Sequence, residues 1–320
     1  MFQPILIAIA RLVGLMVAGY LLFLPRLMRQ RLLPIVLSIA VNVMLPLYFI
    51  TEFGAGWRNA VAAGWKWMPI FFFACVIMLA AQAAVGTYLV RHVRAFSSPQ
   101  PRVWVALFAI QNVGFIPLPI LAVIAPKEIN IYMFFFMLAF VLIFWTLVVS
   151  LVSAEGGRLL VRFNMPLFGI LVGLVVAVFG LYQSIPDSVR TVMEWLAAPA
   201  LDLVLVVLGG ILATIPREDL QYRPEFGHLI LWRMVVYPVA MLGVLLLVPF
   251  EGLPVQIVYG MKVGLVLEAA VPPATNLIIA TKQFGTEQQV HYMASGMLVT
   301  YLASFVTMPL FLLASHAVFG

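Results

Sequence analysis

Apolar runs about as long as a bilayer is thick recur along almost the whole chain. They cover residues 5–24, 32–50, 65–90, 103–125, 129–153, 163–182, 192–213, 229–248, 255–280 and 292–317. About 20 apolar residues rising 1.5 Å each cross a hydrocarbon core of about 30 Å. The runs are too long for strands and lack period-2 alternation. In lipid, helices are the remaining way to satisfy every backbone group. The pattern predicts an all-α integral membrane protein with ten transmembrane helices. The first run has no basic stretch ahead of it and no small-x-small cleavage site behind it, so it reads as a retained helix and not a signal.

Composition sharpens this picture. Of the 320 residues, 64% are hydrophobic and only 9% charged, with a mean hydropathy of +1.12. Soluble domains carry roughly 25% charged residues. A chain with so few charges needs the lipid bilayer as its solvent. The formal charge of +6 forms no dense basic patch, which argues against nucleic acid as a partner. Cys75, the single cysteine, rules out an intrachain disulfide.

The basic residues fall unevenly between the loops. Arg26, Arg29, Arg31, Arg91, Arg94, Arg102, Arg158, Arg162, Arg217, Arg223 and Lys282 occupy one set, and Arg58, Lys66, Lys127 and Arg190 the other. The positive-inside rule puts the first set in the cytoplasm and both termini outside, in a multi-pass cell (inner) membrane protein. Arg11, Arg233 and Lys262 fall inside or at the ends of helices and stand outside this comparison. The charged connection 154–162 divides the chain into five-helix halves, 1–153 and 163–320. An odd number per half makes related halves an inverted repeat. Pro46 and Pro199 are 153 residues apart, and Pro117 and Pro272 are 155 apart, which agrees with such a repeat.

Two segments carry paired prolines at mid-membrane. The fourth reads Gln111-Asn112-Val113-Gly114-Phe115-Ile116-Pro117-Leu118-Pro119, the ninth Glu268-Ala269-Ala270-Val271-Pro272-Pro273-Ala274-Thr275-Asn276. Proline lacks a backbone donor and clashes with the preceding turn, so both helices are expected to break. Unwound backbone at membrane depth belongs in a protein-lined cavity, and paired interruptions in two halves point to a transporter's binding site. Broken helices present N-termini with partial positive charge, which attract carboxylates. Asn112 and Asn276 add donors there, and Gly114, Pro117, Pro272 and Pro273 shape the break.

Glu268 is the sharpest single residue, because a carboxylate at mid-membrane costs about 3 kcal/mol or more to insert. It is expected to bind a coupling cation, to carry a proton, to pair with a substrate cation, or to be structural, either neutral or paired with Lys262. Gln82, Thr146 and Ser150 are polar residues in apolar helices, and serve either as interhelical glue or in ion coordination. Gln82, Gln111, Asn112, Thr146 and Glu268 form the candidate sodium or proton site. Asp202 reads as a site or a capping residue, and Arg11 as a residue snorkelling to the outer interface. His92, His228, His291 and His316 lie at helix ends or in loops. The chain contains no H-E-x-x-H, no phosphate loop and no G-x-S-x-G, so nothing points to an enzyme.

Several stretches carry a family resemblance. They are Asn42-Val43-Met44-Leu45-Pro46, Gln111 to Pro119, Asn164-Met165-Pro166, Ala198-Pro199-Ala200-Leu201, Pro272 to Asn276, Ala294-Ser295 and Thr307-Met308-Pro309-Leu310. Through these the chain resembles the auxin efflux carrier family, which includes plant PIN-formed transporters and bacterial permeases for malate and related acids. The resemblance implies two inverted five-helix repeats with helices four and nine crossing at their breaks, as in bile acid symporters. It also implies a scaffold of helices one, two, six and seven, a mobile group of three to five and eight to ten, and a homodimer. Asn42 joins the expected substrate site on this basis, and Glu268 with Gln82 and Asn112 is similar to the sodium region of bile acid symporters. The function expected is secondary transport of a small organic carboxylate, auxin-like or malate-like. The alternatives are a sodium-coupled bile-acid-like symporter and, further off, a membrane receptor or enzyme.

Overall fold

The computed structural model describes residues 2–96, 98–153, 163–215 and 223–320, and among these every extended element is helical. The expected linker 154–162, with Arg158 and Arg162, and the loop residue Arg217 lie outside the described residues. The helices are α1 (Phe2–Leu22), α2 (Leu33–Ile39), α3 (Leu45–Gly64), α4 (Trp67–His92), α5 (Pro101–Ala109), α6 (Pro117–Ile124), α7 (Glu128–Val152) and α8 (Met165–Val178). They continue with α9 (Asp187–Ala197), α10 (Ala200–Ala213), α11 (Pro224–Leu231), α12 (Tyr237–Leu247), α13 (Val255–Ala270), α14 (Asn276–Phe284) and α15 (Glu287–Phe319).

Seven stretches are long and apolar enough to cross a membrane: Gln3–Leu22, Met28–Gly64, Trp67–His92, Glu128–Val152, Asp187–Ala213, Pro224–Leu247 and Glu287–Phe319. The other three apolar runs differ for physical reasons. The fourth and ninth are interrupted, and α8 keeps only 14 helical residues before a left-handed Gly180 ends it. Several helices outrun their apolar cores. The second continues from 50 to Gly64 through Trp57, Arg58 and Asn59, and the tenth begins at Glu287 under a Thr286–Gln289 capping box. Polar turns beyond the lipid leave no hydropathy signal, although they extend the same hydrogen-bond ladder.

Prolines shape the uninterrupted spans as well. A single π-helical turn occurs at Met28–Leu32, Ala40–Met44 and Trp232–Val236, and a proline follows two residues later at Pro34, Pro46 and Pro238. The proline ring collides with the carbonyl four residues back and offers that carbonyl no donor. Widening the turn lets the ladder run i to i+5 instead, as from Leu45 N–H to Ala40 O.

Helices one, two, six and seven pack as two close pairs, α1 on α10 and α3 on α8. Small residues permit this approach: a Cβ on Gly209 would strike the Met16 carbonyl. Gly209→Leu is therefore expected to force α1 from α10 and lower the melting temperature in detergent by several degrees, as overpacking costs about 1–3 kcal/mol. A bidentate pair joins the same two helices: Arg11 Nε and Nη2 donate to Asp202 at 2.8 and 2.7 Å. This pairing answers what Arg11 and Asp202 do locally, since each is the other's partner.

Candidate functional site

The fourth and ninth segments break where the paired prolines lie, but the prolines act differently in the two. In the ninth, Pro272 and Pro273 sit within the unwound stretch 271–275 between α13 and α14. In the fourth, residues 110–116 are unwound, and Pro117 opens α6 at its first position, where a missing N–H costs nothing. Gly114 makes the turn. Its φ is +86°, and a Cβ there would lie 2.8 Å from Met137 Sδ.

The two unwound stretches pair antiparallel. Asn112 N–H donates to Pro272 O at 2.9 Å, Ala274 N–H donates to Ile110 O at 3.0 Å, and Gln111 stands opposite Pro273. Each break thus satisfies backbone groups of the other, as burial in an apolar interior requires. A tyrosine from α15 locks the crossing: Asn112 Nδ2 donates to Tyr301 Oη at 2.7 Å, and that hydroxyl donates to Pro273 O at 3.1 Å.

On one flank of the crossing lies a fully buried polar network. Gln111 Nε2 donates to Glu268 Oε2 at 3.2 Å. With its amide oriented so that both ends find partners, Gln82 donates to Gln111 Oε1 at 3.1 Å and to Ala109 O at 2.6 Å, and accepts from Arg233 Nη1 at 3.3 Å. Arg233 donates to Ala269 O at 2.6 Å and Val271 O at 2.9 Å. Gln82 and Arg233 therefore cap the carbonyl ends of α5 and α13, where the helix dipole is negative and a cation is favoured. Glu268 Oε1 has no hydrogen-bond partner. Lys262 is not available to Glu268, because its ammonium rests on the Phe250 and Phe319 rings at 5.4 and 4.9 Å.

On the other flank opens a cavity of about 370 Å3. Asn42, Asn164, Asn276, Ser38 and Thr275 supply its polar lining, and Phe115, Trp145, Leu37 and Val207 are among its apolar walls; among the described residues none that lines it is charged. Asn164 caps α8 by accepting from Leu167 N–H at 2.9 Å, which leaves its amide donors to the cavity. Asn276 is the first residue of α14, and Asn42 Nδ2 donates to Ser38 Oγ at 3.1 Å.

A family model described as a membrane transport protein, which covers the auxin efflux carriers, matches residues 4–165 and 162–312. The chain belongs to this transporter family. No individually curated protein matches it.

In this auxin-carrier relative the expected site residues divide into two groups. Gln82, Gln111 and Glu268 meet in the buried network, while Asn42 and Asn276 meet at the cavity. Asn112 borders a small extension of the cavity, of about 50 Å3, and also holds the crossing together. Thr146 is half-buried and follows the cavity residue Trp145 on α7. Sequence reasoning passed over Arg233, Trp145 and Asn164. For Arg233 the signal was present, because a guanidinium inside an apolar run is as costly as a carboxylate.

Proposed function

We propose that the protein is a secondary transporter for a small monocarboxylate with an apolar body, working by alternating access around the crossing of helices four and nine. The paired breaks carry this reading. They place unwound backbone and the N-terminus of α14 beside a cavity with amide donors and no cation. Such a site offers a carboxylate partial charges and N–H groups, and its aromatic walls suit an apolar remainder. A dicarboxylate such as malate would bring a second anionic group against Phe115 and Trp145, with no cation to pair it among the described lining residues.

The ten-helix inverted repeat belongs to the same proposal. Gln82 on helix three and Arg233 on helix eight stand 151 residues apart and cap equivalent half-helices, as a repeat demands. The cavity lies toward the ends of the helices that border the arginine-rich loops, which we read as cytoplasmic. A second cavity of about 140 Å3 lies across the crossing, lined by Arg11, Tyr48, Glu52, Lys127 and Asn130 among others. There Asn130 on α7 donates to Glu52 on α3 at 2.8 Å and to Tyr48 Oη at 3.2 Å, tying the mobile group to the scaffold on the outer side. These features support reading the protein as an inward-open carrier, and a homodimer through the scaffold belongs to the same proposal.

For coupling, the network favours a proton over sodium. A hard cation needs several free oxygens at once. Here the Gln82 and Gln111 carbonyl oxygens are already accepting, and the buried Arg233 guanidinium, bonded into the same network, would repel a second cation.

Asn276→Ala tests the site. The variant is expected to fold like the parent and to bind carboxylate about tenfold more weakly, the loss of one hydrogen bond to an anion. Binding followed by thermal shift across a carboxylate series measures this. Parent-like affinity in both Asn276→Ala and Asn164→Ala would remove the cavity from the substrate's path.

A further inference from the structure

A separate cavity of about 480 Å3 lies at the ends of α4, α5 and α7, on the arginine-rich side of the protein. Its charged lining is Arg91 at the end of α4 and Arg102 at the start of α5, with hydroxyls from Thr87 and Ser150 and apolar walls from Val90 and Val105. None of these residues lines the cavity at the crossing.

The two arginines are short of partners. Among the described residues neither meets an acidic side chain, and Arg102 makes only a long 3.5 Å contact with Ser153 O. Both arginines line the same concavity and are exposed at it, so one anion can take hydrogen bonds from the two together. Thr87 and Ser150 already donate to Ala83 O and Leu147 O on their own helices, so the two guanidiniums are the donors left for an anion.

The position selects the anion. Exposed Val85 and Tyr88 on α4 sit one to two turns below Arg91, so the pocket lies where the lipid-facing surface gives way to charge. Headgroup phosphates lie at that depth, and the cytoplasmic leaflet is the anionic one. Arginine's planar fork matches phosphate oxygens two at a time, which lysine cannot do.

We propose that the pocket between the ends of α4, α5 and α7 binds a phosphate group through Arg91 and Arg102. The geometry suits an anionic lipid headgroup, with the acyl chains running down past Val85 and Tyr88. All three helices belong to the group expected to move, so the lipid would travel with it and make transport depend on bilayer composition.

The test uses the whole protein in detergent, with the melting temperature read after adding phosphatidylglycerol, phosphatidylcholine or inorganic phosphate. Phosphatidylglycerol is expected to raise it by about 5 °C, as a ligand well above its Kd does. Arg91→Gln/Arg102→Gln should lose most of that rise, while Arg26→Gln/Arg31→Gln should keep it. A rise with phosphatidylglycerol alone assigns the phosphate to lipid. A rise with inorganic phosphate that the double variant also loses assigns it to a soluble phosphate. If the double variant does not fold, Arg91→Lys and Arg102→Lys carry the test, each expected to lose about half the rise because the fork is gone. A full rise in these variants, or no rise with any of the three additions, overturns the proposal.

Discussion

Replacing Arg233 with methionine is expected to abolish transport and to lower stability more than any other single change in the network. The guanidinium is fully buried and bonds Ala269 O, Val271 O and Gln82. Methionine fills much of the space but donates nothing, and each buried group left unpaired costs about 1–3 kcal/mol. The unwound stretch 271–275 would then lose its anchor on the α13 side, and the antiparallel pairing with 110–112 would loosen. Arg233→Lys separates folding from function. It keeps the charge near the helix end but cannot bond two carbonyls in a fixed fork. That variant should fold, with transport at least about tenfold slower, the equivalent of one lost hydrogen bond to a charged group. Proteoliposome uptake and thermal unfolding measured together check both. Parent-like uptake in the lysine variant would show that the fork is not needed.

The second large effect is expected at Glu268. Its carboxyl is fully buried, is held by Gln111 and keeps one oxygen without a partner. Gln at this position is nearly isosteric and brings no charge to desolvate, so the fold should survive. Only the ability to take up and release a proton is lost. If one proton moves with each substrate, a gradient of one pH unit supports about tenfold accumulation, since one unit is about 1.4 kcal/mol. The parent should show this, respond to the pH gradient and ignore sodium. Glu268→Gln should stop at equal concentrations on the two sides while still exchanging labelled for unlabelled substrate. Accumulation in the variant that matches the parent would make Glu268 structural. Sodium-driven accumulation in the parent would favour a cation at the network instead.

Much of the architecture was legible in the sequence because membrane burial leaves a coarse, local signal. Run lengths gave the helical class. The Pro272-Pro273 and Pro117-x-Pro119 pairs gave the breaks, and a lone Glu268 in an apolar run marked the network. What was hidden depended on pairing at a distance. Arg11 and Asp202, 191 residues apart, form one ion pair, and Asn130 reaches Glu52 across 78 residues. Neither contact has a local signature. Asn164 entered only as part of a family stretch; it caps α8, and the packing of α8 against α3 and α7 brings it to the lining of a cavity. The π-helical turns were foreshadowed by Pro34, Pro46 and Pro238, but a proline also permits a kink or a break, and the surrounding helices decide which.

The central claim is that substrate reaches the crossing from one side at a time, and cysteine accessibility tests it most directly. Cys75 is the only native cysteine and is fully buried, so engineered thiols can be labelled against a silent background. Ile279→Cys places a thiol in the larger cavity, and Ala122→Cys places one in the smaller cavity across the crossing. A membrane-impermeant maleimide should label Ile279→Cys only from the cytoplasmic side, with labelling slowed by the transported carboxylate. It should label Ala122→Cys only from the outside, and faster during turnover than at rest. Labelling of either position from both sides at rest, or labelling rates at both positions that no carboxylate alters, would contradict alternating access at the crossing.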